Sequence, residues 1–515
     1  MDRAKSKKIR NIRVIATNIF MCISVVVIVF ILMLIAMGFS FNETGKFEQF
    51  GYVQLVSRPS DASVSIDNKS QFGHTELSKL LSGGNHAISI TKQGYDTWSQ
   101  NLKVDAGLLT RVDWIRLFPT NPEISNITTI HNLRFASFSP NRKYLITASK
   151  TSPYLYRYQI QDDEPHSDKI PLDECLGSSK EQADEGAISI VAWNDNNNKI
   201  IAKWSTDNKK YSWHIFDLER PKNSINLTEK YGFNFDIVLA ANSSASKLWA
   251  LENGNLRLID TSNSTAAAPI AKNVIKIAHN HDTVSFIAPN EDVEQTSDDT
   301  TIYSLNTYRE GEDSHVHITD LDDFDKNTAT IKLAMGGYWN EDWLAYSINK
   351  HFTVLSGKYP SYSKSEKKNS LKKTYEQELN EEPELASFNP PQRVIVLAGN
   401  NSITSYDIET KTSYNYNIST PLTSINWLDD YLLWRNSDNE IIIRDFDGNN
   451  RRKVASSTDN PFPVIISENN RYLYYFDAIK EETTSDPINT PSDSDSTTTT
   501  EEAATKHILK RIKLQ

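Results

Sequence analysis

Two histidine pairs are the residues of this chain best spaced to do chemistry. His279-x-His281 and His315-x-His317, the latter followed by Asp320, would each place two imidazoles on one face of an extended strand, as a metal ion requires. Sequence fixes no third ligand for either pair, and scattered surface histidines produce the same spacing. The run "DFDGNN", residues 445–450, holds the opening oxygen ligands of a calcium loop without the closing glutamate. A tight turn with Gly448 at positive φ uses the same residues. Asp429-Asp430 and Glu341-Asp342 are adjacent acids, the pattern of solvated turns, whereas acid–base work on a glycan needs carboxylates set apart across a cleft. G-x-S-x-G, Walker A, G-x-G-x-x-G, H-E-x-x-H and C-x-x-C are all missing from the sequence. The sequence therefore assigns no catalytic, cofactor-binding or metal residue, implies no cofactor, and reads as a protein that is not an enzyme.

Any such residues must be positioned by strands. Trp 10, Tyr 22 and Phe 20 in 515 residues favour sheets over helical bundles. From about residue 121 a unit recurs: a short apolar strand, a polar turn, a second apolar strand, then a third. Eight copies run from "FASFSPNRKYLITAS" through "VIKIAHNHDTVSFIAP" to "PVIISENNRYLYYFDA", with third strands such as "YLYRYQI" and "HILKRIKL". Fourth strands are weaker: "INLTEK", "HVHITD", "YNYNIS" and "RKVASS". A period of roughly 40 to 55 residues is that of propeller blades with loop insertions, and radial packing avoids the open edges of one long sheet.

Residues 121–515 are thus expected to form a β-propeller of about eight blades. Seven is the other count the pattern allows, and an irregular two-sheet β-protein is the competing architecture. "ASFSPNRKYL" and "IIIRDFDGNNRRKV" resemble blades of the Tol-system periplasmic propeller and of tryptophan–aspartate-repeat proteins, a likeness of architecture that says little about function. Two stretches break the repeat. Residues 361–383, dense in charge, read as a solvated insertion with at most one short helix, and residues 481–505 as a disordered loop. The eighth unit has only three strands of its own. Residues 121–130, "NPEISNITTI", are expected to supply the fourth by pairing with residues 508–514.

Residues 51–118 form a separate block of strand signals, "GYVQLVS", "ASVSID", "HAISITK", "SQNLKVD" and "TRVDWIRLF", divided by turns at Gly73, Gly83-Gly84, Gly94 and Gly107. The spacing predicts a small antiparallel β-sandwich in which Val64 and Ile66 point inward while Ser63, Ser65 and Asp67 face water. Trp98 and Tyr95 serve either its core or an exposed aromatic patch. The strand before Pro59, Ala62 leading into Val64-Ser65-Ile66-Asp67, Gly73-His74-Thr75, Gly84-Asn85-His86 and Gly94-Tyr95 resemble a PEGA domain, a small β module of prokaryotic surface proteins. Ser60-Asp61 stands where the namesake motif has Glu-Gly, and Glu76 where a proline is usual. The resemblance implies an extracytoplasmic binding or spacer module without catalytic activity.

Before that block, residues 19–41 run without a charge, long enough as a helix to cross a bilayer. The first 13 residues carry Arg3, Lys5, Lys7, Lys8, Arg10 and Arg13 against one acid, Asp2, while the whole chain has net charge −11. The basic flank predicts a cytoplasmic tail at 1–18, an uncleaved transmembrane helix at 19–41, and everything beyond it outside the cytoplasm. An acidic body argues against a nucleic-acid partner. Cys22 and Cys175 would lie in different compartments and form no disulfide. The expected protein is mainly β: one N-terminal transmembrane helix, a PEGA-like sandwich, then the propeller. It reads as a membrane-anchored binding or scaffold protein of a bacterial cell envelope, with an envelope protein or cell-surface glycan as partner. The other reading is an envelope glycan hydrolase or lyase acting at the propeller's central face.

Overall fold

The computed structural model describes residues 2–41, 45–150, 152–177, 187–205, 211–290, 301–321, 324–360, 362–363, 366–367, 370–418, 426–457, 461–480 and 505–515. The chain separates into two compact units, Met1–Pro122 and Glu123–Gln515.

The first unit opens with a helix, Asp2–Ala36, whose segment Ile15–Ala36 has a mean hydropathy of 3.3. The helix stops at Ala36, short of the expected 41. The basic residues belong to the same helix, and Phe39–Phe41 is a strand paired with Phe47–Gln49. Gly38 sets the stop, because its φ of +83° is a left-handed conformation that ends a helix cheaply only at glycine.

Two four-stranded sheets follow. In one, Phe47–Arg58 is flanked by Phe39–Phe41, Leu77–Ser82 and Leu109–Arg116; in the other the order is Lys69–His74, Ser63–Ile66, Gly84–Thr91, Trp98–Val104. The sandwich is not wholly antiparallel as expected: Phe47–Arg58 and Leu109–Arg116 run parallel, Tyr52 opposite Leu109 and Arg58 opposite Arg116. Strands so far apart in the chain need no hairpin, so nothing forces the antiparallel sense. Alternation holds, with Val64 and Ile66 buried, Ser63 and Asp67 exposed and Ser65 half-buried. Trp98 is 1% exposed and lies in the core, while Tyr95 is half-buried. The fit between layers is tight at Gly51, where a Cβ would come within 2.4 Å of Val104 Cγ1 and 2.6 Å of Asp105 O.

Among the described residues the second unit has eight four-stranded antiparallel sheets. The first is Leu133–Phe138, Tyr144–Ser149, Tyr154–Gln159 and Ser167–Pro171. The next six fall within residues 187–226, 237–266, 276–321, 331–378, 385–417 and 426–456. The eighth joins Ile465–Ile466, Tyr472–Lys480 and Thr505–Lys513 to Ile124–His131, in the register His507 to Ile130 and Ile512 to Ile124. The ring therefore closes by mixing distant chain segments, as the sequence led us to expect, with the last strand starting at Thr505, a few residues before the expected 508.

The core lies between sheets. Leu155 of the first shares an apolar cluster with Phe216 of the second, Ile215 with Leu248 of the third, and Trp249 with Phe286 of the fourth. Leu305 continues to Leu344 of the fifth and Phe352 to Tyr406 of the sixth. Ser405 Oγ then donates to Phe446 O, and Ser457 Oγ to Phe476 O, reaching the eighth sheet. Phe476 and Leu509 pack with Leu145 of the first. Each sheet touches its two neighbours and the last touches the first, which is a propeller of eight blades.

The turns between first and second strands repeat one device. Asn194 Oδ1 accepts from Asn198 N–H and Lys199 N–H, Asn242 Oδ1 from Ser246 N–H and Lys247 N–H, and Asn389 Oδ1 from Val394 N–H. Ser139 and Ser467 do the same with their hydroxyls. A short polar side chain at that position satisfies turn amides that no strand reaches.

Two expectations fail in detail. Within the supposed insertion 361–383, Lys372–Glu378 is the fourth strand of the fifth blade, with Val354 opposite Tyr375. An outer strand is a solvated edge, and its Lys and Glu are the charges that protect an edge from pairing further. "INLTEK" yields only a two-residue strand, Ile225–Asn226, because Asn226 caps a short helix, Leu227–Tyr231, by accepting from Glu229 N–H. Of the stretch read as a disordered loop, residues 481–504 lie outside the described residues, and Thr505 begins a strand.

Candidate binding cleft on the fourth blade

The fourth blade is built from Lys276–Asn280, Thr283–Pro289, Tyr303–Arg309 and Val316–Leu321. Its register sets Phe286, Asn306 and His317 in one cross-strand row and Ala288, Ser304 and Asp320 in another. Val284, Phe286 and Ala288 pack in the cluster shared with the third blade, so this is the face turned toward that blade. The third blade cannot cover its outer half. Its fourth strand is only Thr265–Ala266, after which the chain continues irregularly beside the third strand, Ile270 N–H donating to Leu256 O and Leu256 N–H to Ala271 O. What remains is a cleft of about 520 Å³, with Phe286 and Ala288 toward its floor and Lys272, Asn290, His317 and Asp320 among its walls.

The polar groups are interlocked. His317 Nε2 lies 2.9 Å from Asp320 Oδ1, and Asn290 Nδ2 donates to the same oxygen at 2.8 Å. The His317 hydrogen bond is the main cause that holds the Asp320 carboxyl below its ordinary range, so it is ionised at neutral pH. The His315 ring stands edge-on to Phe286 with centroids 5.4 Å apart. Asn306, 3% exposed, donates to Ser304 O and Ser304 Oγ. A cleft with an apolar floor and amide, imidazole and carboxylate groups on its walls offers both donors and acceptors to a hydroxyl-rich ligand.

Of the residues singled out from sequence, His315, His317 and Asp320 line this cleft. His279 and His281 do not join them. His279 is on the blade's innermost strand, where burial pushes its pKa down to about 4. His281 lies in the next turn, with Nδ1 3.8 Å from Asp195 Oδ2. Among the described residues there is no group of three or more His, Cys, Asp or Glu able to hold a metal ion.

The calcium-like run is a turn. Asp447 accepts from Asn449 N–H and Nδ2, Asp445 Oδ2 accepts from Asn450 Nδ2, and Gly448 has φ +88°. Asp429 Oδ1 accepts from Tyr431 N–H and Leu432 N–H, and Asp342 Oδ2 accepts from Tyr359 N–H, so one member of each acidic pair is structural. Sequence reasoning missed Asn306, whose place on a blade face appears only once the register is known, and Lys272 and Asn290, which reach the cleft from segments outside the strands. It also missed the buried Arg393–Asp407 pair, with bonds of 3.0 and 2.7 Å. The Cys175 thiol is buried in the helix Leu172–Leu176, and burial pushes its pKa up to about 11.

A search of curated proteins finds no match. Among solved structures, dipeptidyl peptidase 4 of Porphyromonas gingivalis is similar over 67% of this chain and 56% of its own, at 12% identity and a TM-score of 0.45. AztD of Citrobacter koseri is similar over 79% and 97%, at 11% identity and a TM-score of 0.39. PorZ of Porphyromonas gingivalis, a surface component of its type-IX secretion system, is similar over 69% and 43%, at 11% identity and a TM-score of 0.38. Likeness this remote says nothing of ligand or activity. Residues 50–116, the β-sandwich of the first unit, match the PEGA domain.

Proposed function

We propose that this chain is a single-pass membrane protein of the bacterial cell envelope whose sandwich and propeller lie outside the cytoplasm and bind a protein or a cell-surface glycan, without catalysing a reaction. The observation that carries this reading is the succession of an uncharged helix, Ile15–Ala36, behind a basic flank and a domain of the PEGA type directly after it. The basic flank keeps the N-terminus in the cytoplasm. The cleft of the fourth blade is the ligand site within this reading, and its mixture of donors and acceptors over an apolar floor suits a glycan.

Protease added to intact cells should digest the body and leave a short membrane stub; a fully protected body would sink the topology. Crosslinking and pulldown from membranes identifies the partner. Binding of an envelope glycan by the full chain, lost in His317→Ala and Asn306→Ala, is the outcome expected of the cleft. Turnover of that glycan, abolished by His317→Ala or Asp320→Ala, would replace the binding reading with an enzymatic one.

A further inference from the structure

The helix does not hang from the sandwich by a free linker. Met37 and Gly38 N–H donate back to Met33 O and Ile35 O at 2.9 and 3.0 Å, and Phe50 N–H donates to Gly38 O at 2.8 Å. Gln49 Nε2 donates to Met37 O at 2.9 Å. The turn before the last strand joins the same place: Gly107 N–H donates to Phe50 O and Tyr52 N–H to Leu108 O, both at 2.9 Å. A Cβ on Gly38 would lie 2.7 Å from Phe50 O, so the helix end is seated directly on the strand. Helix end, strand start and turn form one block.

That block is apolar where a soluble domain would be polar. Phe47 packs on Phe39 and Phe41 with ring centroids 5.4 and 5.3 Å apart, and Phe41 and Phe47 are exposed. Five residues further along the same strand, past Phe50, Tyr52 sits between Leu80 and Leu109 on the neighbouring strands, and all three are exposed, as is Leu108. Single exposed hydrophobics need no account, whereas two apolar groups on one strand, on either side of the helix seat at Phe50, do.

The helix itself says what covers them. Its 22-residue uncharged segment, Ile15–Ala36, spans about 33 Å, close to the hydrocarbon thickness of roughly 30 Å, so Ala36 falls at the hydrocarbon boundary. Tyr52 is two residues beyond Phe50, about 7 Å along the strand, which is inside the headgroup layer of roughly 5–8 Å. Aromatic rings favour that layer.

We infer that Phe41, Phe47, Tyr52, Leu80, Leu108 and Leu109 form an apolar collar resting in the headgroup layer of the bilayer that the helix crosses, so that the β-sandwich stands on the lipid surface as a fixed foot. The inference rests on the anchor reading above, and the test separates the two.

The full chain, in a Cys22→Ser, Cys175→Ala background, is spin-labelled at single cysteines and reconstituted into phosphatidylcholine–phosphatidylglycerol vesicles. Collision with oxygen and with a water-soluble nickel chelate is then measured at each label. Leu109→Cys and Phe47→Cys should favour oxygen and lose most nickel collisions, as Val27→Cys in the helix does, whereas Asn101→Cys, exposed on the other sheet, should favour nickel. Leu109→Cys and Phe47→Cys as open to nickel as Asn101→Cys, with Val27→Cys lipid-buried, would overturn the collar and leave the anchor standing. Labels at Leu109 and Phe47 shielded from both reagents would overturn it in favour of a protein covering. Nickel access at Val27→Cys would overturn anchor and collar together.

Discussion

Removing residues 505–515 should unzip the propeller. Thr505–Lys513 is the third strand of the eighth blade, bonded to Tyr472–Lys480 on one side and to Ile124–His131 on the other. The segment buries Leu509, Ile512 and Leu514, which are 0%, 2% and 2% exposed. At about 1.5–3 kcal/mol for each buried side chain, the three together contribute roughly 5–9 kcal/mol. A domain's whole stability is about 5–15 kcal/mol, and the truncation also strands Ile124–His131 and leaves two sheet edges open. The truncated full-length protein, purified in detergent and titrated with urea while its tryptophan fluorescence is followed, should lose the cooperative transition of the propeller. Should the truncation yield no protein, Leu509→Ala provides the same test, with an expected loss of about 2–5 kcal/mol. Replacing residues 481–504 by a two-residue Asn-Gly turn is the matched control, since loop length costs only about 0.6 kcal/mol per doubling. A truncated chain with the urea midpoint of the intact one would refute the closure argument, because the segment would then carry none of the ring's stability.

His214, fully buried on the second blade, has its pKa pushed from 6.5 down to about 4 by desolvation. In that window the unfolded chain holds the proton and the native one does not, so stability should fall as the pH drops from 6.5 to 4, by about 3 kcal/mol. His214→Gln should flatten that part of a stability–pH curve measured by urea titration; an unchanged slope would place the dependence elsewhere. Asp407→Ala removes the bidentate partner of the Arg393 guanidinium, 2% exposed and also paired with Glu409, and should cost about 3 kcal/mol. Asp168→Ala, which breaks the solvent-exposed pair with Arg157, should stay within about 1 kcal/mol; equal losses in thermal melts would contradict the burial argument. Gly51→Ala drives a methyl into Val104 and the Asp105 carbonyl and should destabilise the sandwich by about 1–3 kcal/mol. A urea midpoint unmoved by that change would show that the two layers can part there.

Strand order, blade number and the closing pair were readable in the sequence because each rests on a local signal. Apolar alternation marks a strand, a Ser or Asn at the turn marks its end, and the eightfold repeat tells one accident from a pattern. The pairing of 121–130 with 508–514 followed from a missing fourth strand and a spare apolar one. Signals that depend on what a strand lies against were not readable. Lys372–Glu378 looks like a solvated excursion because an outer strand is solvated, and only its pairing with His351–Gly357 makes it a strand. The parallel match of Tyr52 with Leu109 has no local mark, since it joins residues far apart in the chain. Val64 and Ile66 were correctly placed inside, whereas Tyr52, Leu80 and Leu109 become one surface only when three strands are set side by side. The cleft depends on tertiary structure most of all. His317 and Asp320 were visible as a spacing, but their site exists only where the irregular segment after Thr265–Ala266, with Ala271 and Lys272, meets the fourth blade. Alternation within a strand is decided by residues next to one another; what a neighbouring sheet leaves uncovered is decided by the course of a different segment, which no local pattern records.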